Sequence, residues 1–452
     1  MTVQAYRARV VFPVAAPPIE DGVVVVESGR IARIGRQAPA GVDVEDLGDT
    51  LLLPGFVNAH CHLEFSHLKR RIGRKGVALP TWIRQIIEKR PTAKKIGKSI
   101  AGGLEQSIRS GTTTLAEICR TETEAYSTGA LSPRLVLLQE SIGFSQARAG
   151  SALAAAEQRL AELQDFIKRE IIGAASGTDG AAIEGDLSPF GSGLCDAPPL
   201  PSKWVGGKYR VGVSPHAPYT ASPQLIRELV SVAVSQDMPV ALHLAESPEE
   251  LQLLQEGKGP FQQILEERGM WDPWVIGRGS TPLDYLRMLT RAPKALVVHG
   301  NYLDYPALAM MARHSSAMSL VYCPRTHAHF KHKPYPLATA LELGVPVCLG
   351  TDSLASNPDL SILGEMREVA QRHPQVAPET ILHMATQAGA QALGLIDVGS
   401  IRPGAHADLV AVPLPQGAKG LPSRLLAHVL YDEEVSVDSV WLSGERVESV
   451  AV

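Results

Sequence analysis

His60 and His62 flank Cys61 at the end of an apolar run, in the stretch LLLPGFVNAHCHLEFS over Leu51–Ser66. On a β-strand alternate side chains share a face, so the two imidazoles sit about 7 Å apart while Cys61 points away. That spacing suits one divalent metal, and it equally suits two ordinary strand-end histidines. The distinction comes from other apolar runs that end in polar residues. His243 closes one and is followed by Leu244-Ala245-Glu246, His299 closes another, and Asp352 a third. Three neutral imidazoles and a carboxylate, His60, His62, His243 and Asp352, make a site for Zn²⁺, with Fe²⁺ or Mn²⁺ equally admissible. An open position there would hold water and lower its pKa towards ~7. Asp352 could then take that water's proton. Glu246, leaving the strand, could protonate a ring nitrogen of a substrate. His299 could orient the nucleophile or stabilise a developing oxyanion.

These residues need a scaffold that brings distant strand ends together. Eight short apolar runs alternate with helical periods: Phe56–His60, Thr112–Ile118, Arg134–Glu140, Arg210–Ser214, Pro239–His243, Ala295–His299, Ala317–Cys323 and Val345–Thr351. That is the count of an α/β (β/α)₈ barrel, whose active site gathers at the C-terminal ends of its strands. Helical spacing of apolar residues marks Leu104–Arg109, Ser151–Lys168, Ser222–Ser235 and Ser361–His373. Ser222-Pro223 and Asn357-Pro358 each read as a capping side chain before an N1 proline. Both ends of the chain are all-β in texture. Arg7–Val14, Gly22–Glu27 and Ile31–Ile34 stand at one end, and Ala407–Val412, Val437–Leu442 and Arg446–Val450 at the other. The expected organisation is a small β-sandwich from residues 1–53 plus 396–452, with the barrel over 54–395. Gly173–Gly207, rich in Gly, Ala, Ser, Pro and Asp, reads as an insertion on the N-terminal side of the barrel, away from the site.

Composition narrows the class of function. With 45% apolar and 20% charged residues over 452 positions and a net charge of −4, the chain is an ordinary well-cored protein without a basic field for nucleic acid. Lys69-Arg70-Arg71 reads as solvated surface. Five unpaired-looking cysteines give no disulfide framework. The N-terminus lacks signal-peptide features, and no apolar run reaches the ~18–20 residues that span a bilayer. A cytoplasmic protein acting on a small molecule is expected, with homo-oligomer formation left open.

The runs PGFVNAHCHLE, SPHAPYT (Ser214–Thr220), HLAES (His243–Ser247), VVHGNYL (Val297–Leu303) and GTDSLASN (Gly350–Asn357) together resemble the amidohydrolase superfamily, in its mononuclear deaminase and chlorohydrolase branch. The resemblance implies metal ligands at His60, His62, His243 and Asp352 and an acid/base pair at Glu246 and His299. It also implies a single metal, because Val213-Ser214-Pro215-His216 offers no bridging lysine where binuclear relatives place one. The separate nucleobase deaminases with H-x-E and P-C-x-x-C are excluded by the absence of such a cysteine pair.

Within that branch a glutamate at 246 favours deamination over dechlorination. His216 resembles a substrate-contacting position of adenosylhomocysteine and aminofutalosine deaminases, and Glu64 in HLEFSHL is similar to the latter group. A 6-aminopurine nucleoside is the substrate class this implies. Two stretches depart from the pattern: Pro80-Thr81-Trp82-Ile83 has no acid beside the tryptophan, and Cys323-Pro324-Arg325-Thr326-His327 replaces Pro-x-Ser-Asn. Arg325 and His327 are therefore candidates for an anionic or polar substrate group, or for holding their own loop. His67, His314, His329 and His332 are read as surface or loop residues. The alternatives are hydrolysis of a cyclic amide or carbon–halogen bond at the same site, and a catalytically silent scaffold that binds a partner through Gly173–Gly207.

Overall fold

A computed structural model describes residues 3–120, 123–127, 132–176 and 208–447. Five strands open the chain: β1 (Val3–Val11), β2 (Ile19–Glu27), β3 (Arg30–Gly35), β4 (Val44–Asp46) and β5 (Thr50–Pro54). Eight follow at the expected places: β6 (Phe56–Cys61), β7 (Thr112–Cys119), β8 (Arg134–Ser141), β9 (Tyr209–Pro215), β10 (Pro239–Leu244), β11 (Lys294–His299), β12 (Met318–Tyr322) and β13 (Val347–Leu349). Three close the chain: β14 (Leu409–Pro413), β15 (Ser439–Leu442) and β16 (Glu445–Arg446).

Strands β6 to β13 pair in sequence order, each described ladder parallel. In β7 and β8 every residue is buried, as a parallel sheet covered on both faces requires. The ring closes where Thr351 N and Asp352 N each donate to His60 O at 3.1 Å. Gly350 permits that closure, since a Cβ there would stand 2.9 Å from His60 Cβ. Asn58 reinforces the seam. Its Nδ2 donates to Thr351 Oγ1 at 2.7 Å and its Oδ1 accepts from Thr351 N at 3.1 Å. Barrel closure therefore delivers Asp352 to the histidines of β6.

The terminal strands form one mixed sheet from both ends of the chain, in the order β16-β15-β14-β5-β1-β2-β3 with β4 beside β1. Trp441 is fully buried in it, its ring 5.0 Å from that of Tyr6. The chain passes into the barrel at Pro54-Gly55, where a Cβ on Gly55 would stand 2.0 Å from Thr113 Oγ1. A buried ion pair fastens the sheet to the barrel: Arg134 Nε and Nη2 reach Asp408 at 2.9 and 3.2 Å. The C-terminal stretch also contributes a helix, Pro422–Tyr431, which packs on the barrel helices Ile362–Arg372 and Pro378–Met384.

Ser222 caps the Pro223–Ser235 helix, accepting from Leu225 N at 3.1 Å. Asn357, in contrast, caps nothing. Its amide donates to Thr351 O and Glu365 Oε1, both at 2.6 Å, and the helix begins later at Ile362 behind Ser361. Burial of the strand-eight loop creates this demand for a donor, which local spacing does not reveal. The first positions of the expected Gly173–Gly207 insertion complete the Gln146–Ser176 helix, and the rest, with Cys195, lies outside the described residues. The other four cysteines are buried free thiols. Among the described residues no helix is long and apolar enough to cross a membrane.

Candidate active site

The strand ends bring six of the expected residues into one cluster. His60 (β6), His243 (β10) and His299 (β11) have ring nitrogens within 4.8 Å of one another, and so have His60, His62 and a carboxylate oxygen of Asp352. His62 Nε2 lies 3.4 Å from His243 Nε2. Asp352 Oδ1 stands 3.8 Å from His60 Nε2 and 3.9 Å from His62 Nε2.

This cluster fits a divalent cation. Both ring nitrogens of His60 are buried without a hydrogen-bond partner, an arrangement that costs free energy unless something fills it. Burial first, and neighbouring imidazoles second, push His60, His62 and His299 well below their ordinary 6.5, and His243 down to about 3. The rings are neutral and hence competent donors. His243 is held by His216 O, which accepts from its backbone N at 3.0 Å and lies 2.8 Å from its Nδ1, so that Nε2 faces the cluster. Asp352 is anchored through Oδ2, which accepts from Ser356 Oγ at 2.8 Å. His60, His62, His243 and Asp352 could hold the ion, with His299 alongside.

Glu246 sits above them. Its Oε2 accepts from Tyr219 OH at 3.0 Å, and its Oε1 is 3.5 Å from His299 Nε2. Burial, then the carboxylates of Asp352 and Glu250, drives its pKa well above the usual range, which favours the protonated form. Tyr219 in turn stacks on Phe261, with ring centroids 4.1 Å apart. Three non-glycine residues at these strand ends adopt left-handed backbone: Ala245 (φ 54°), His299 (φ 69°) and Asp352 (φ 57°). Each costs roughly 1–3 kcal/mol, strain that concentrates at working sites.

Some functional positions escape the sequence reading. Glu250, wholly buried, accepts from Ala245 N and Glu246 N, both at 2.8 Å, and so fixes the turn that carries Glu246. Asn301 Nδ2 donates to Glu246 O at 2.9 Å. Glu117, also buried, accepts from Leu63 N at 3.0 Å, just beyond His62. Glu140 lines the cavity, paired with Arg120 at 3.2 Å. A signal for Glu250 is present, because Ser247-Pro248-Glu249-Glu250 has the S-x-x-E form of a helix start.

The remaining expected residues divide. His216 lines the cavity, its Nδ1 2.6 Å from Thr220 Oγ1 and its Nε2 3.9 Å from Glu140. Glu64 stands 3.8 Å from the cavity residue Arg90 without lining the cavity itself, and burial raises its carboxyl to about 7. Arg325 and His327 are not brought in. Arg325 is spent on Glu365 at 2.8 Å and Asp359 at 2.7 Å, while His327 Nε2 is 2.9 Å from Lys333 O. Their expected substrate contact gives way to loop-holding roles. His329 is buried rather than on the surface, its Nε2 3.1 Å from Ile72 O, and His332 is half-buried against Tyr302.

A barrel with this cluster at its C-terminal mouth defines a hydrolase scaffold, and the chain belongs to the amidohydrolase family, whose model matches residues 51–183 and 203–447. Among curated relatives, a 5-methylthioadenosine/S-adenosylhomocysteine deaminase of Pelotomaculum thermopropionicum is 26% identical, the match covering 94% of this chain and 88% of that protein. In fold the chain is similar to Helicobacter pylori aminofutalosine deaminase, with a TM-score of 0.76, 22% identity and coverage of 99% and 100%. It is also similar to an adenosine deaminase of Xanthomonas campestris with bound zinc, with a TM-score of 0.71, 24% identity and coverage of 98% and 92%.

Proposed function

We propose that this chain is a zinc-dependent deaminase that removes ammonia from a 6-aminopurine nucleoside, with one ion per chain held by His60, His62, His243 and Asp352. The observation that carries the reading is Glu246, a buried carboxyl held by Tyr219 OH at 3.0 Å and set 3.5 Å from His299 Nε2 in the imidazole cluster. A ring nitrogen that gains charge as an oxygen adds to the neighbouring carbon calls for such a proton donor, and the deaminase-named relatives support ammonia as the group that leaves. The ion, when bound, lowers the pKa of water and so supplies a nucleophile at neutral pH. Tyr219 donates to Oε2, so Oε1, on the side facing His299, is the oxygen left to carry a proton to the ring nitrogen. Transfer of that proton to the ring nitrogen makes the amine-bearing carbon electrophilic. His299, neutral and 3.5 Å away, positions the incoming oxygen. Asp352 carries one of the water's two protons to the departing amine, its second oxygen held by Ser356, and the other proton restores Glu246. Overall the carbon–nitrogen bond breaks, a carbon–oxygen bond forms, and ammonia leaves. The absence of a lysine at the end of β9 supports a single ion, and the zinc-bound structural neighbour supports its identity.

The test is ammonia release by the metal-loaded protein from adenosine, 5′-methylthioadenosine and S-adenosylhomocysteine, with the 6-oxo product identified by mass spectrometry. Chloride release or ring opening without ammonia would replace this reading with the second hydrolytic one.

A further inference from the structure

The loop after β6 carries five cations within seven positions, Lys69-Arg70-Arg71-Ile72-Gly73-Arg74-Lys75, in a chain whose net charge is −4. Its backbone is fastened. Ile72 is buried, its N donates to Ala355 O at 2.7 Å, and His329 Nε2 lies 3.1 Å from its O. Gly76 N donates to His329 O at 2.7 Å, and Val77 N to Arg74 O at 3.0 Å. Five like charges are thus held together where a loose loop would let them separate. All five side chains are exposed, and among the described residues none of them makes an ion pair.

Four of them, Lys69, Arg70, Arg71 and Lys75, line one cavity of about 410 Å³. Asp359, next to the lining residue Pro358, does not neutralise them, because it is committed to Arg325 at 2.7 Å. Asn357 also lines this cavity. It is 1% exposed, and its Oδ1 has no hydrogen-bond partner, an acceptor that a hydroxyl or a water carried by a ligand would satisfy. The cavity shares no lining residue with the one over the imidazole cluster.

We propose that this cavity is an anion site for an oligophosphate chain, separate from the reaction site. The planar fork of arginine matches phosphate oxygens, and cations on the consecutive residues 69 to 71 match the charge density of linked phosphates. An acidic peptide spreads its charges along a longer backbone. A nucleic-acid strand calls for a cationic track, where this acidic chain offers one cavity. The site goes beyond the aminopurine reading and does not depend on it. Leu354 and Asn357 belong to the loop that begins at Asp352, so the ligand settles against the segment that carries a candidate metal ligand.

Calorimetric titration of the zinc-loaded protein with inorganic tripolyphosphate and with UTP tests it, with orthophosphate, hexaglutamate and oligouridylate RNA as comparisons. Tripolyphosphate or UTP should bind at least about tenfold more tightly than any of the comparisons. The tighter of the two shows whether the phosphate chain comes free or on a nucleotide. An Arg70→Gln/Arg71→Gln/Lys75→Gln variant should weaken that binding about 10- to 100-fold, three exposed charge contacts being lost. Arg70→Lys/Arg71→Lys keeps the charge and should lose less than about tenfold. Lys419→Gln/Arg424→Gln, at another exposed cationic cavity, should leave binding unchanged. Zinc content and melting curves check that the variants fold. Salt near 1 M, which screens charges beyond ~3 Å, should abolish binding to the wild type and requires no variant. Equal binding by the wild type and the glutamine variant, the result that capture of zinc by phosphate would give, overturns the proposal. So does an affinity for tripolyphosphate and UTP no better than for orthophosphate, and so does preference for hexaglutamate or RNA.

Discussion

Glu250→Gln should separate activity from stability. The wild-type carboxylate is wholly buried and spends its two oxygens on Ala245 N and Glu246 N, at 2.8 Å each. A glutamine keeps one acceptor and turns an NH₂ group towards the other amide. The turn then shifts, and Glu246 moves off the line between Tyr219 and His299. Displacements of about 1 Å at a reacting group cost about 100-fold, so kcat should fall roughly 10- to 100-fold with KM little changed. Stability should move the other way. Burial raises Glu250 from its ordinary 4.5 to about 7, against the lowering effect of its backbone hydrogen bonds. An acid with a raised folded-state pKa binds more protons folded than unfolded between those values, so its contribution to stability declines as pH rises from 4.5 to about 7. The decline amounts to about 3 kcal/mol. Glutamine does not titrate. Urea unfolding at pH 5 and pH 8 should therefore show wild type losing about 3 kcal/mol relative to the Glu250→Gln variant. Full kcat in the variant, or a stability difference independent of pH, would refute the reasoning.

Glu246→Gln should lower kcat by ~10³ while metal content by mass spectrometry stays at the wild-type level, since general acid catalysis is lost and the ligands are not. Retention of more than about a tenth of wild-type kcat would exclude Glu246 as the acid. Arg325→Gln should cost about 3 kcal/mol in urea unfolding, because it strands the buried carboxylate of Glu365, and should leave KM within about twofold. A large rise in KM without loss of stability would return Arg325 to the substrate.

The ends of the barrel strands were readable because each apolar run stops at a polar residue that a buried strand has no other reason to carry. His60, His243, His299 and Asp352 are such stops. The residues that hold them were not readable for a related reason. Glu117 lies within its strand and Glu140 ends one between Gln139 and Ser141, and nothing local indicates that Leu63 N or Arg120 waits for them. Arg325 looked like a pocket residue because it follows β12 in a polar stretch. Its partners, Asp359 and Glu365, lie more than thirty positions on and meet it only when strand eight's loop folds back. Asn357 misled by the same mechanism, a cap-like dipeptide whose amide is claimed by Thr351 O. Pocket character was the least legible feature. Nothing in the Leu79–Glu88 stretch itself marks its isoleucines as cavity residues, because the facing Pro260–Glu267 helix is brought to them only by the fold.

In the proposed mechanism turnover depends on one ion held by His60, His62, His243 and Asp352. Protein stripped with a chelator and titrated with Zn²⁺ should release no ammonia from adenosine-type substrates at first. Activity should then rise linearly and plateau at one equivalent per chain, and an Asp352→Asn variant should fail to bind the ion tightly in the same titration. Turnover that persists in the stripped protein, or a plateau at two equivalents, would rule out a single essential ion at these four residues.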